Sequence, residues 1–387
     1  MKHRISSIVE KIPFSIIREM SLKASEYENV IPLGIGEPDF NTPKAICRCA
    51  AADALAGATH YTPSKGDLEL IEAICDFLTN SRSQTFAPEN IVVTGGGMGA
   101  LTAYFRTVLC AGDEVLIPEP YFPAYRPQIE WVGGKVVGVP CRLENGFIPR
   151  SEDLLSAVTP RTKVLLLNYP NNPTGAVIAA ADLDRLARFA VNHDLLVVSD
   201  EVYEKLLFQD KLHESPYSRP GMTDRTVVIH SFSKSYAMTG WRIGYAFGPQ
   251  WIIDPMTKVV SYYTSCASSV SQRAALCALH ADPQPFEEMV AKFERRSRLA
   301  YEGLSQIPGL AVHRAAGAFY LFPDIHNLTM DSRRFALELL EKEQVAVVPG
   351  EAFGPCGKGF FRIALTVPRK LLERAVERID RFIRTRY

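Results

Sequence analysis

Ser231-Phe-Ser-Lys-Ser-Tyr-Ala-Met-Thr-Gly-Trp-Arg242 holds one lysine, Lys234, between two serines, with an arginine eight positions further on. A β-branched run, Thr226-Val-Val-Ile229, leads into it, and Trp241-Arg-Ile-Gly-Tyr-Ala-Phe247 follows. The pattern predicts strand, loop, strand. A lysine displayed on such a loop is a candidate covalent catalyst, because its amine attacks an aldehyde where the pocket favours the deprotonated form. The hydroxyls of Ser231 and Ser233 and the guanidinium of Arg242 suit a phosphate. An aldehyde that carries a phosphate is pyridoxal 5′-phosphate. The competing reading is a surface lysine in a polar loop, and the stretch alone does not separate the two.

The surrounding sequence alternates. Asn90-Ile-Val-Val-Thr94, Glu114-Val-Leu-Ile117, Lys135-Val-Val-Gly-Val139, Lys163-Val-Leu-Leu-Leu-Asn168 and Leu195-Leu-Val-Val-Ser199 read as strands. Helical patterns fall after residue 95, near 122–132 and over 180–193. Several strand runs are apolar on both faces, as buried parallel strands require. This predicts an α/β fold with a mostly parallel, helix-covered sheet. Ahead of it, helices are expected at about 43–56 and 67–80, with residues 1–45 irregular and rich in Pro and Gly. Beyond residue 280 come a charged helix (284–306), Ala318-Phe-Tyr-Leu-Phe322, a helix at 331–343, Val345-Ala-Val-Val348, Phe360-Phe-Arg-Ile-Ala-Leu365 and a final helix. These describe a smaller α+β domain. The expected division is an N-terminal segment (1–45) packing on the small domain, a large domain (46–283) and a small domain (284–387).

Composition narrows the function. The 387 residues carry 43 Lys plus Arg against 43 Asp plus Glu, so no net field draws the chain to nucleic acid or an anionic membrane. No apolar run is long enough to span a bilayer, and Met1-Lys-His-Arg-Ile-Ser-Ser lacks the apolar core of a signal peptide. The eight cysteines are scattered, and Cys47-Arg-Cys49 is not a zinc spacing. They read as reduced, mostly buried thiols of a cytoplasmic enzyme with no metal.

Four further motifs sit where strands end, which is where open α/β sheets bind ligands. Gly95-Gly-Gly-Met-Gly99 can turn backbone N–H groups toward an anion at a helix start, or simply make a tight turn. Asn168-Tyr-Pro-Asn-Asn-Pro-Thr-Gly175 is a stiff turn that can hold a side-chain amide against a phenolic oxygen or a carboxylate. Asp200, closing an apolar strand, is costly unless paired; a pyridine nitrogen is one partner, a helix cap the other reading. Arg362, central in an apolar strand, offers a fork for a carboxylate or an inter-domain ion pair.

The order of these motifs resembles the class I and II aminotransferases, the fold-type I enzymes that use pyridoxal phosphate. The likeness runs from Gly36-Glu-Pro-Asp-Phe40 to Arg362. It implies that Lys234 is the Schiff-base lysine, and that Ser231, Ser233, Arg242 and the N–H groups of Gly97 and Met98 hold the phosphate. It places Asp200 on the pyridine nitrogen, Asn172 and Tyr203 on the phenolic oxygen, and Phe122 on the ring face, with Tyr121 the weaker candidate. It implies that Tyr61 reaches a neighbour's phosphate across a homodimer interface, and that Gly36, Asn172 and Arg362 contact the amino-acid substrate. The reaction implied is ping-pong amino transfer between an L-amino acid and a 2-oxo acid. One departure concerns Met98: some aspartate-specific members carry a distal-carboxylate lysine there, which methionine cannot replace. Apolar residues at the expected mouth (Ile12, Phe14, Ile16 and Ile35) suit a neutral or aromatic side chain or plain packing. A C–S or β-lyase on the same fold shares every cofactor contact. A non-catalytic pyridoxal-phosphate sensor module lacks the room for a DNA-binding domain ahead of residue 30. A nicotinamide-dependent dehydrogenase rests only on Gly95–Gly99, whose glycine spacing is wrong.

Overall fold

The alternating stretch closes into one seven-stranded sheet. The computed structural model describes residues 6–82, 84–209 and 211–387; residues 1–5, part of the stretch read for a signal peptide, lie outside them. After β1 (Ile31–Pro32) the sheet strands are β2 (Ile91–Thr94), β3 (Glu114–Glu119), β4 (Lys135–Pro140), β5 (Thr162–Asn168), β6 (Leu196–Asp200), β7 (Thr226–Ser231) and β8 (Gly244–Phe247). Their order is β2-β8-β7-β6-β5-β3-β4. All neighbours are parallel except β8, which runs antiparallel to β2 and β7. Every residue of β2, β3, β7 and β8 is buried, so these strands carry no polar face.

The helices are α1 (Ser7–Lys11), α2 (Ile16–Ala24), α3 (Lys44–Leu55), α4 (Leu68–Arg82), α5 (Gly96–Val108), α6 (Tyr125–Glu130) and α7 (Ser151–Ala157). They continue as α8 (Ala180–Asn192), α9 (Phe232–Ser235), α10 (Gln250–Thr264), α11 (Ser269–Leu279), α12 (Gln284–Leu304), α13 (Ser332–Glu343) and α14 (Arg369–Arg386). Strand periodicity sends alternate side chains to opposite faces. Thus Ile91 and Val93 pack with α4 and α11, while Val92 packs with α5 and α10. A second core gathers α12, α13 and α14 around β9 (Tyr320–Leu321), β10 (Val345–Ala346) and β12 (Phe361–Ala364), while β11 (Val348–Pro349) sends Val348 into a cluster with β3 and β5 residues. β12 lies between β11 and β9, antiparallel to both, and β1 pairs in parallel with β10.

Several expectations need correction. The segment 1–45 is not irregular throughout: Ser15 caps α2 by accepting from Arg18 N, and Met20 is buried beneath it. Flanking prolines and glycines had hidden this short amphipathic turn. The 231–242 stretch is not all loop, since α9 forms one helical turn directly after β7. Val345–Val348 is two strands with different partners. The helices α7, α10 and α11 carried no strong sequence signal; α10 even contains Pro255. The cysteines are not all reduced. Packing of α11 on α3 brings Cys49 and Cys277 to a Cα–Cα distance of 6.5 Å, and they are disulfide-bonded. The partners are 228 residues apart, so no local spacing announces them. Nor are the free thiols mostly buried, because Cys47 and Cys110 are exposed. Thiol titration of the denatured protein is expected to find the six free cysteines before reduction and all eight after it. Eight thiols before reduction would contradict the crosslink.

Candidate active site

The carboxyl ends of β5, β6 and β7 open into a cavity of about 340 Å³ whose far wall comes from β9 and β12. Lys234 stands on α9. Ser231 ends β7 and caps this turn, its Oγ accepting from Ser233 N at 3.2 Å. The cap aims Lys234 inward, where Nζ donates to the carbonyl of Gly36 at 2.6 Å. Burial lowers the amine to a pKa of about 8 against the neighbouring Glu37, and the nearby Arg362 and Arg242 push the same way as burial. A larger neutral share makes Nζ a nucleophile and a base.

Asp200 ends β6 and is followed by turns, not a helix, so it is no cap. Its Oδ2 accepts from Tyr125 OH at 2.7 Å, and Asn168 Nδ2 fixes its backbone carbonyl at 2.9 Å. Among the described residues no lysine or arginine pairs with it. Burial raises its carboxyl to about 6, although the Tyr125 hydrogen bond opposes the rise. A buried carboxylate that faces a cavity and has no cation paired to it is suited to a cationic ring edge.

Arg362, on β12, is buried with no carboxylate partner among the described residues. Nη1 donates to Asn172 Oδ1 at 3.0 Å and Nη2 to Gly34 O at 2.6 Å. The guanidinium lies between the rings of Tyr320 and Phe353, 4.6 and 4.9 Å from their centroids. Its Nε has no hydrogen-bond partner. Tyr203 OH lies 3.0 Å from Tyr320 OH, and both rings are buried. Gly36 must be glycine here, because a Cβ would lie 2.3 Å from Tyr320 Oη.

The opposite corner is built for an anion. Gly96 has φ +77° as the chain turns into α5, so Gly97 and Met98 line the cavity at a helix N-terminus. Ser231, Ser233 and Arg242 face the same cavity. Arg242 itself has φ +51°, and its Nη1 donates to Thr239 O at 2.9 Å.

The structure therefore gathers Gly36, Gly97, Met98, Phe122, Asn172, Asp200, Tyr203, Ser231, Ser233, Lys234, Arg242 and Arg362 around one cavity. Tyr121 is turned away, its hydroxyl accepting from Arg126. Tyr61 does not line the cavity of its own chain and is 88% exposed. Phe14 is fully exposed and Ile35 partly so; the apolar contribution of α2 comes from Ile17 instead. The sequence reading missed Tyr125, Tyr320, Glu37 and Ile17. Tyr320, within Ala318–Phe322, carried a usable signal, since a tyrosine in an apolar run needs a polar partner for its hydroxyl.

Residues 28–379 match the aminotransferase class I and II family. The chain belongs to this family. It is 41% identical to the aspartate aminotransferase of Pyrococcus abyssi, covering 96% of each chain. It is 38% identical to aromatic-amino-acid aminotransferase 2 of Thermococcus litoralis, covering 98% of each. The solved aromatic aminotransferase from Pyrococcus horikoshii superposes with a TM-score of 0.90 at 41% identity, over 95% of this chain and 99% of that one. The enzyme is thus an aminotransferase of fold type I. Among the described residues no helix is long and apolar enough to cross a membrane.

The depressed lysine gives a measurable signature. Trapping of an aldehyde on Lys234 by borohydride, followed by peptide mass spectrometry, is expected to show a pH midpoint near 8 in the cofactor-free aminotransferase. A midpoint near the ordinary lysine value of 10.5 would contradict the environment described. The sign follows from burial, which penalises the ammonium and leaves the neutral amine untouched.

Proposed function

We propose that this aminotransferase binds pyridoxal 5′-phosphate on Lys234 and moves the amino group of an L-amino acid with an uncharged side chain to a 2-oxo acid. The observation that carries the reading is the charge inventory of one cavity. Lys234, Arg242 and Arg362 face it, and Asp200 is buried there without a cation. An aldehyde for Lys234, a phosphate for Arg242, an α-carboxylate for Arg362 and a cationic ring nitrogen for Asp200 match these groups one for one.

When bound, the cofactor supplies an electron sink for charge developing at the substrate α-carbon. The protein's part follows from its own groups. Ser231, Ser233, Arg242 and the N–H groups of Gly97 and Met98 hold the phosphate. Asp200, oriented by Tyr125, keeps a proton on the ring nitrogen. Asn172 and Tyr203 hydrogen-bond the phenolic oxygen, and Phe122 covers a ring face. Arg362 grips the substrate carboxylate, with Gly36 leaving room for the backbone. Lys234 Nζ would hold the aldehyde and, as a free neutral amine, would take the α-proton of the substrate. The donor then leaves as a 2-oxo acid before the acceptor enters, so the kinetics are ping-pong.

The side-chain preference rests on the lining. Ile17, Met98, Leu101 and Phe122 are apolar, and Glu37 stands at the mouth. A second carboxylate there meets a like charge and, among the described residues that line the cavity, finds no cation beyond the three already assigned. We further propose a homodimer, in which the exposed Tyr61 completes the partner's phosphate site. Exposed Leu55 and Tyr262 supply apolar surface for such an interface. The proposed division of the chain is a large cofactor-binding domain over 46–283 and a small domain over 284–387, with 1–45 packed on the latter.

The test is to expose the purified yellow protein to single amino acids without any oxo acid. One oxo acid per site, bleaching of the yellow band and no ammonia are expected, with phenylalanine ahead of aspartate. Catalytic ammonia and pyruvate would point to a β-lyase. Protein that stays colourless with added pyridoxal phosphate would remove the cofactor assignment. Arg362→Gln is expected to lower kcat/KM for amino acids by about a hundredfold or more, the effect of losing one partner of a buried charged contact. An unchanged kcat/KM would remove Arg362 from the substrate.

A further inference from the structure

Residues 33–42 form a strap that touches both halves of the site. On the lysine side, Gly36 O accepts from Lys234 Nζ at 2.6 Å, and Thr42 Oγ1 donates to Ala237 O at 2.7 Å. Trp241 Nε1 donates to Thr42 Oγ1 at 3.1 Å, and Thr239 Oγ1 donates to Glu37. On the arginine side, Gly34 O accepts from Arg362 Nη2 at 2.6 Å, and Ile35 O accepts from Thr366 Oγ1 at 2.8 Å. Leu33 joins the second core through Ala346 O and Ala364 N, at 2.8 and 2.7 Å.

The contacts alternate as in an extended chain, where carbonyls two residues apart point the same way. Gly34 O and Gly36 O meet two side chains that line the cavity, Arg362 and Lys234, and Ile35 O between them turns to Thr366. Two carbonyls of one strap, two residues apart, therefore index Arg362 and Lys234. These are the groups assigned above to the carboxylate and the amine of the substrate.

What fixes the strap lengthwise is an ion pair. Arg296, from α12, donates to Asp39 Oδ1 and Oδ2 at 2.6 and 2.8 Å, a bidentate fork. Arg296 is buried between the rings of Phe40 and Phe293, 5.4 and 5.5 Å from their centroids, and also donates to Leu365 O at 3.0 Å. Among the described residues this is the only ion pair made by residues 33–42.

We propose that Asp39 and Arg296 are positioning residues for amino transfer: their ion pair sets the register of the strap, and the strap sets the spacing between Lys234 and Arg362. The inference rests on the functional reading above. Neither residue touches the cavity, and both lie beyond the groups that hold the cofactor phosphate and ring. Loosening the pair leaves cofactor binding intact. It misaligns only substrates held at both ends, because a shift of about 1 Å in a reacting pair costs on the order of a hundredfold.

The experiment compares two nitrogen nucleophiles on the holoenzyme. An L-amino acid needs both Lys234 and Arg362, whereas hydroxylamine has no carboxylate and needs only the lysine end. In Asp39→Asn and Arg296→Lys, bleaching of the yellow band by the amino acid is expected to slow about a hundredfold. The rate with hydroxylamine and the affinity for pyridoxal phosphate are expected to stay at wild-type values, with Asp39→Glu intermediate. In the cofactor-free protein, amide exchange over residues 33–40 is expected to quicken in Asp39→Asn while residues 226–242 keep their protection. Equal slowing with both nucleophiles, or no slowing with either, would overturn the proposal, as would unchanged exchange over the strap. Where Asp39→Asn does not reach the wild-type melting temperature, Arg296→Lys and Asp39→Glu carry the same comparison. Wild-type protein that takes up no cofactor or transfers no amino group refutes the functional reading itself, and that result is in hand before any variant is compared.

Discussion

Three cationic side chains converge on one cavity, and the rest of the structure follows from keeping them there. Lys234, Arg242 and Arg362 repel one another, and burial disfavours the charge on Lys234 and on Arg362. Each is held by oxygens that carry no full charge: Gly36 O for Lys234, Thr239 O for Arg242, Gly34 O and Asn172 Oδ1 for Arg362. Carbonyl dipoles lower the cost of the charge without neutralising it. The cavity therefore retains a positive potential that anionic ligands can satisfy. A phosphate and a carboxylate bound there would add stability in proportion to their affinity. Asp200 is the mirror case, an acid kept from its cation by the fold itself.

This arrangement needs two cores. Lys234 and Arg242 belong to the loop between β7 and β8, an antiparallel pair at one side of a parallel sheet. Arg362 belongs to a separate antiparallel sheet. No single sheet could set cations from opposite sides around one ligand, since all the strand ends of β5, β6 and β7 face the same way. The strap of residues 33–42 touches both. Gly36 within it is constrained by approach rather than by turning, with no room for a Cβ against Tyr320.

The sheet was legible because buried parallel strands write themselves as continuous apolar runs, and β2, β3, β5, β6 and β7 all do so. The cofactor-side residues were legible because they cluster in short motifs at strand ends, where Asp200 and Ser231 terminate β6 and β7. What stayed hidden depends on tertiary partners. Tyr125 reads as an ordinary aromatic until the fold brings its hydroxyl to Asp200, 75 residues away. The disulfide joins positions 228 apart through helix packing, with no local pattern at either end. Helix α2 was masked by Pro13 before it and by Pro32, Gly34 and Gly36 after it, although its cap serine and buried Met20 are ordinary helix signals.

The helix α11 shows how such hidden contacts reach the site. Its Gln272 accepts from Asp67 N at 2.7 Å and donates to Thr62 Oγ1 at 2.9 Å. Its Arg273 pairs with Asp53 at 2.8 Å, and Cys277 is bonded to Cys49. One helix thus grips residues 49–67 at successive turns, on both sides of the exposed Tyr61. A loop held this firmly at both roots loses little further entropy when its tip is buried by a partner. Tyr61 is therefore presented, not merely exposed. The grip falls on the side of the sheet that carries α4 and α11, while the strap anchored by Arg296 falls on the second core. The lysine loop, between these two supports, is constrained by both: α11 packs with Phe232 and Tyr236, and the strap bonds Lys234, Ala237 and Thr239.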